Sequence, residues 1–204
     1  NVQIRDRIAI LGKNRADWDI AFWGVVLAGA IPVLIDPERR IEGVKKHLFH
    51  TESKLLIMAD DYQDQVSSIP GVDLIKMTFY IKTESRKSLR DINLKINSDD
   101  TAVILCTSGT TGDPREVELT HANLITNIQG SLEIVKISSK DILGHILPPH
   151  HSFGLTVGKL LPFSVGATNI YTDKYHQIFR LIKDRKITIF VAVPVLFKTI
   201  AKKL

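Results

Sequence analysis

Short apolar runs alternate with longer amphipathic stretches along almost the whole chain, and this rhythm restricts the fold more than any other feature. Arg7 to Leu11 reads as a short buried strand. Ala16 to Ala30 reads as a helix that is apolar nearly all round, and Ile31 to Ile35 as the next strand, stopped by Asp36-Pro37. Asn14 is placed to cap the helix, with Asp17 adding a carboxylate near its positive end. Strand, helix and strand in that order make a βαβ unit, whose crossover should be right-handed.

The alternation continues with a helix over Glu38 to Thr51, where Ile41, Val44 and Leu48 fall at helical spacing. Leu55 to Ala59 and Leu74 to Tyr80 read as strands, with a short helix over Asp60 to Ser67 between them. Lys82 to Asp100 is polar and without period, so 82–100 is expected to be a linker or surface excursion dividing a first βαβ region, 1–81, from a second region, 101–204. That second region opens with an apolar strand, Ala102 to Cys106, and a polar loop. Thr120 then caps a helix running to about Val135. Ile142 to Leu147, Ala167 to Tyr171 and Ile187 to Val193 are its further strands. Gly154 to Val165, the Ile178/Leu181/Ile182 face and the segment opened by Pro194 are its helices. The fold class expected is α/β, alternating βαβ units with largely parallel sheets.

Composition removes several function classes. Basic residues give a net charge of +5, but they are scattered in pairs such as Arg39-Arg40 and Lys45-Lys46. No clustered basic stripe with interleaved aromatics of the kind a nucleic-acid reader shows is present. The most apolar stretch, Trp18 to Ile35, contains Asp19 and Pro32 and is shorter than the ~20 clean apolar residues of a membrane span. One cysteine, Cys106, allows no internal disulfide and fits a reducing compartment. His145, His150 and His151 lie close in sequence, yet no thiol or His-x-x-x-His pair joins them, so zinc is not expected.

The segment richest in chemistry is Thr107-Ser108-Gly109-Thr110-Thr111-Gly112-Asp113-Pro114-Arg115, expected between a buried strand and a helix. Its two glycines permit a tight turn and close backbone approach, and consecutive amides in such a turn converge on an anion. Hydroxyls at Thr107, Ser108, Thr110 and Thr111 add uncharged donors, and Arg115 adds a positive fork suited to phosphate oxygens. The ligand this implies is a polyphosphate. It is not a Walker loop, because two residues rather than four separate Gly109 from Gly112, and Asp113 follows in place of lysine. A solvated turn rich in Gly and Thr has the same composition.

The run Thr107 to Gly112, followed by Asp113-Pro114-Arg115-Glu116-Val117, resembles the phosphate-loop signature of adenylate-forming enzymes, above all the acyl-CoA synthetases. Leu119-Thr120-His121-Ala122-Asn123-Leu124 is similar to the family's next segment. Leu147-Pro148-Pro149-His150-His151-Ser152-Phe153-Gly154 is similar to the acyl-pocket motif of its CoA ligases, and Arg7 to Asp36 to its early βαβ region. The resemblance implies part of the large N-terminal domain of an ATP-dependent acid–thiol ligase. Such an enzyme forms an acyl-AMP and then transfers the acyl group to CoA. It implies Thr107, Ser108, Gly109, Thr110, Thr111, Gly112 and Arg115 around the ATP phosphates, Thr107 in the Mg²⁺ environment, and His151 at the floor of the catalytic site.

The similarity of Pro148 to Gly154 to that motif implies a long-chain fatty acid as substrate, with an aryl acid as the alternative. A carrier-protein acceptor, or a non-catalytic nucleotide-binding module, stay open as alternatives. Arg115 stands where the family has lysine, and Glu116 where it has glycine, which places a carboxylate next to a phosphate loop. The adenine-stacking Tyr-Gly-x-Thr-Glu segment, the ribose-binding Asp and the C-terminal domain with its lysine have no counterpart here. The parent domain is therefore expected to continue beyond 204, and this fragment alone to be inactive and prone to self-association. The expected setting is cytoplasmic, with peripheral membrane contact compatible.

Overall fold

In the computed structural model, residues 2–64, 66, 69–77, 94–108, 114–172, 174 and 177–201 are described. They divide into two compact units, Asn1–Asn123 and Leu124–Leu204.

The first unit is a six-stranded sheet in the order β4-β3-β1-β2-β5-β6. Its strands are β1 (Arg7–Leu11), β2 (Ile31–Ile35), β3 (Leu55–Met58), β4 (Asp73–Lys76), β5 (Thr101–Ser108) and β6 (Pro114–Thr120). All neighbours run parallel except β5 and β6, which are antiparallel. Helix α1 (Ala16–Leu27) links β1 to β2, and α2 (Ile41–His50) carries the chain back past β1 to β3. Those crossovers move in opposite directions across the sheet. With right-handed connections they lie on opposite faces.

The central strands are hydrophobic throughout, because a parallel strand covered on both sides gains nothing from alternation. Ile8, Ala9, Ile10 and Leu11 are buried, as are Val33, Leu34 and Ile35. The α1 side keeps an open apolar groove lined by Ile8, Ile20, Val25, Leu55 and Ile57.

Strand β5 lies beyond residues 82–100, yet it pairs with β2 through Val33↔Ile104 and Leu34↔Leu105. Compactness thus divides the chain after Asn123, not at the polar stretch where the sequence suggests a boundary. Residues 82–93 of that stretch lie outside the described residues.

The cap of α1 also differs from expectation. Arg15, extended at φ −157°, occupies the position before the helix, and its guanidinium bonds the Asp17 carboxylate at 2.6 Å. Thr120 does cap its helix, α3 (His121–Ile134): its hydroxyl accepts from the Asn123 amide at 3.1 Å while Asn123 Oδ1 accepts from the Thr120 amide at 3.0 Å. This reciprocal pair satisfies two orphan amides at once.

The second unit holds a three-stranded parallel sheet ordered β8-β7-β9, formed by β7 (Ile142–His145), β8 (Thr168–Tyr171) and β9 (Ile189–Val191). The pattern over Gly154 to Val165 predicts a helix that ends or kinks at Pro162 for the crossover from β7 to β8. The crossover is broken into α4 (Ser152–Leu155), a π-helical run (Thr156–Leu160) and α5 (Leu161–Val165). Pro162 explains the break: it has no amide to give to Gly158. The Gly158 carbonyl instead accepts from Asn169 Nδ2 of β8 at 3.0 Å. Gly166, left-handed at φ 72°, ends α5. Helices α6 (Ile178–Asp184) and α7 (Pro194–Ala201) complete the unit.

Candidate functional site

The two motif regions fall in different units. In the first, the hydroxyl- and glycine-rich segment does not lead into a helix. Ser108 ends β5 and Pro114 begins β6, so residues 109–113 link two antiparallel strands. Gly109, Thr110, Thr111 and Gly112, named as phosphate contacts, lie outside the described residues. The strand β6 had a readable signal, since Val117 and Leu119 alternate with Glu116 and Glu118. Reading the loop as running straight on to α3 hid it.

The register places Thr107 opposite Arg115 and Cys106 opposite Glu116. Partners across a ladder share a face, and successive residues alternate. Thr107 and Arg115 therefore stand on one face and Cys106 and Glu116 on the other. The Thr107 hydroxyl donates to the Arg115 carbonyl at 3.2 Å and ties the two strands where they diverge. The guanidinium of Arg115 is exposed and forms no ion pair among the described residues.

The opposite face is the one crossed by α2. Arg7 there donates to the Thr51 carbonyl and to Glu118, and Glu118 also accepts from Thr101 at 2.8 Å. Burial, then the Glu116 charge, pushes the Cys106 thiol up to about 12, so it is not a nucleophile.

This geometry sets Glu116 and Arg115 on opposite faces of the ladder. The residue lies in an extended strand, where no positive φ is needed, and its side chain leaves the sheet on the side away from Arg115. Glu116→Gly is thus expected to leave ATP affinity within about two-fold, while costing about 1 kcal/mol of stability as a glycine in a strand. Calorimetric titration with ATP beside a melting curve measures both. A clear gain in affinity would place the carboxylate among the phosphates after all.

In the second unit, His151 stands at the cap position of α4, extended at φ −98°, ψ 144°. Its carbonyl accepts from the Leu155 amide at 2.8 Å, and its own amide donates to the Pro148 carbonyl at 3.2 Å. Its side chain is exposed, whereas the His150 ring is buried beneath it, with centroids 4.2 Å apart. His150, which no feature of the sequence singles out over its neighbours, is the platform for the His151 ring. The turn is closed by Gly154, where a Cβ would overlap the Pro148 carbonyl oxygen and lie 2.8 Å from the carbonyl carbon.

His145, at the end of β7, is held neutral far below the usual imidazole range, down to about 3, by burial and by the nearby Lys159 charge. Among the described residues no three His, Cys, Asp or Glu side chains converge as a metal-ligand set. No helix there is long and apolar enough to cross a membrane.

The profile of the AMP-binding enzyme family matches residues 1–204, the whole chain. The chain belongs to the AMP-binding enzyme family. Among curated relatives it is 26% identical over 205 residues to the mitochondrial malonate–CoA ligase of Mus musculus, covering 94% of this chain and 35% of that protein. To 4-coumarate–CoA ligase 3 of Arabidopsis thaliana it is 28% identical over 215 residues, covering 97% and 38%. It thus spans well under half the length of these relatives.

Among solved structures, o-succinylbenzoate CoA synthetase of Bacillus subtilis with a bound product analogue superposes with a TM-score of 0.84. The identity is 22%, covering 100% of this chain and 42% of that one. ATP-bound MatB of Rhodopseudomonas palustris gives 0.81 at 22% identity, covering 98% and 41%. At those identities the likeness concerns the fold, which for this AMP-binding chain is α/β with mostly parallel strands.

Proposed function

We propose that the protein containing this chain activates a carboxylic acid with ATP as an acyl-AMP and passes the acyl group to CoA. The observation that carries this reading is the β5–β6 ladder. It brings the Thr107 hydroxyl and the exposed Arg115 guanidinium to one face, on either side of residues 109–113, in a chain matched throughout by the AMP-binding family.

The donor set fits a nucleotide phosphate. Arg115 is a permanent cation able to bind two phosphate oxygens at once. Thr107 donates its proton to a carbonyl and so turns its oxygen lone pairs outward, which suits Mg²⁺, a cation that prefers oxygen ligands. Ser108, Gly109, Thr110, Thr111 and Gly112 would complete the phosphate contacts. In this reaction the carboxylate oxygen attacks the α-phosphorus and pyrophosphate leaves. The CoA sulfur then attacks the acyl carbon and AMP leaves. Mg²⁺, when bound, supplies charge neutralisation at the phosphates. His151, set at a helix start above His150, would orient the carboxylate.

The acid expected from Pro148 to Gly154 is a long-chain fatty acid, whereas the named relatives are ligases of malonate and 4-coumarate. The test is exchange of labelled pyrophosphate into ATP by the full-length protein, across acids of both kinds. Exchange that requires an acid is expected. Exchange without any acid, or none with every acid tried, overturns the reading.

A further inference from the structure

Resting on that reading, we infer that His150 is a positioning residue for the reaction. Its buried ring fixes the direction in which the His151 imidazole points, and so sets how often His151 faces the carboxylate it orients.

The backbone of His151 is held on both sides. Its amide donates to the Pro148 carbonyl at 3.2 Å, and its carbonyl accepts from the Leu155 amide at 2.8 Å. Gly154 closes the same turn against Pro148, where a Cβ would lie 2.8 Å from the carbonyl carbon. The side chain is what the backbone leaves undecided. Rotation about the Cα–Cβ bond has three staggered wells, and the imidazole adds a broad, roughly two-fold choice about the next bond.

No polar contact makes that choice. The His151 side chain is exposed, and its ring nitrogens form no hydrogen bond or ion pair among the described residues. Its ring contact is with His150: the centroids lie 4.2 Å apart, with the planes inclined at 51°. Only 6% of His150 is exposed, so the His150 ring is the held partner and the His151 ring is the one placed on it. A contact this close survives in one well about the Cα–Cβ bond. A step to another well swings the imidazole off the His150 ring into solvent.

Paired rings favour definite relative orientations, so the contact directs the imidazole as well as retaining it. Burial keeps His150 itself from touching an acid bound beside His151. An aliphatic side chain at 150 would fill the space but present no ring. Acid and ATP would still bind, but His151 would face the carboxylate in a smaller fraction of complexes, and turnover scales with that fraction.

The experiment is acid-dependent pyrophosphate exchange by the full-length protein, with a melting curve for every variant. His150→Leu should lower kcat about five-fold, close to the number of orientations it releases, and leave the KM for ATP unchanged. His150→Phe, which returns a ring to the position, should recover most of that loss. In protein that already carries His151→Ala, His150→Leu should cause no further loss, because no imidazole is left to place. His150→Met, with its more adaptable chain, takes the place of the leucine variant if that one does not fold.

An equal loss from His150→Leu with and without the His151 imidazole overturns the inference, since His150 would then act through the fold alone. So does a failure of His150→Phe to recover turnover, or a kcat for His150→Leu that does not fall. Each of these leaves the ligase reading standing, because exchange still requires an acid. Exchange that needs no acid in the unaltered protein, or none with any acid, sinks both.

Discussion

A Gly154→Ala protein is expected to melt well below the unaltered one, with a loss of about 3 kcal/mol. The turn from Pro148 to Ser152 is held by the His151 amide on the Pro148 carbonyl and by the Leu155 amide on the His151 carbonyl. Gly154 passes so close to Pro148 that an added methyl would overlap its carbonyl oxygen. That obstacle is backbone, not the movable end of a side chain, so the turn itself must open. Opening it displaces His151 from its place above His150, and acid-dependent activity of the full-length protein should fall with the stability.

Gly24 provides the internal control. It lies in α1, a methyl added there would meet nothing within 4 Å, and Gly24→Ala should be neutral or stabilising by up to about 1 kcal/mol. Equal melting temperatures for the two variants would show that the Pro148 turn yields freely.

Acid is expected to destabilise the fold well before the carboxylates titrate. His47 of α2 is fully buried, and neither of its ring nitrogens has a hydrogen-bond partner among the described residues. Burial, followed by the Arg39 and His50 charges, lowers its pKa from 6.5 to about 4. The unfolded chain therefore takes up this proton first. The stability due to a neutral His47 is complete above pH 6.5 and is lost as pH falls toward 4. At ~1.4 kcal/mol per pH unit of separation, the loss amounts to roughly 3–4 kcal/mol. His145, lowered to about 3, adds a further loss of the same sign, continuing to lower pH.

Asp6, bonded by Lys54, Asp100, bonded by the Asn97 amide, and Asp141, bonded by Thr188, are all held below 3.8, so the stability they contribute is present above 3.8 and is lost only as pH falls below it. Urea unfolding at intervals between pH 8 and 4 isolates the histidines. His47→Gln should flatten the curve over that interval, and an unchanged slope would assign the acid sensitivity elsewhere.

Strands β1, β2 and β3 of the first unit were legible because each is a short apolar run that burial on both faces accommodates. β1, β2 and β3 appear within a residue of where Arg7 to Leu11, Ile31 to Ile35 and Leu55 to Ala59 placed them. The helix cap at Thr120 was legible for the same local reason, a hydroxyl three residues before an amide that needs an acceptor. The cap at Asn14 failed because Arg15 takes the extended position and satisfies itself through Asp17. The helix over Gly154 to Val165 was legible together with its kink at Pro162, but not that Asn169, on a later strand, donates to the Gly158 carbonyl.

By itself, then, the sequence determined the α/β class, most of the strands and the family, since apolar periodicity and a run of glycines and hydroxyls are local properties of a chain. Tertiary structure decided what depends on partners far apart in sequence. Strand alternation across the β5–β6 ladder turns Glu116 away from Arg115, although the two are adjacent in the chain. Pairing of β5 with β2 joins segments on both sides of the polar stretch into one sheet. Packing of β7, β8 and their crossover gathers His145, Lys159, Asn169 and Tyr171, which no spacing connects, because the distance between side chains is set by sheet register and helix closure and not by their separation along the chain.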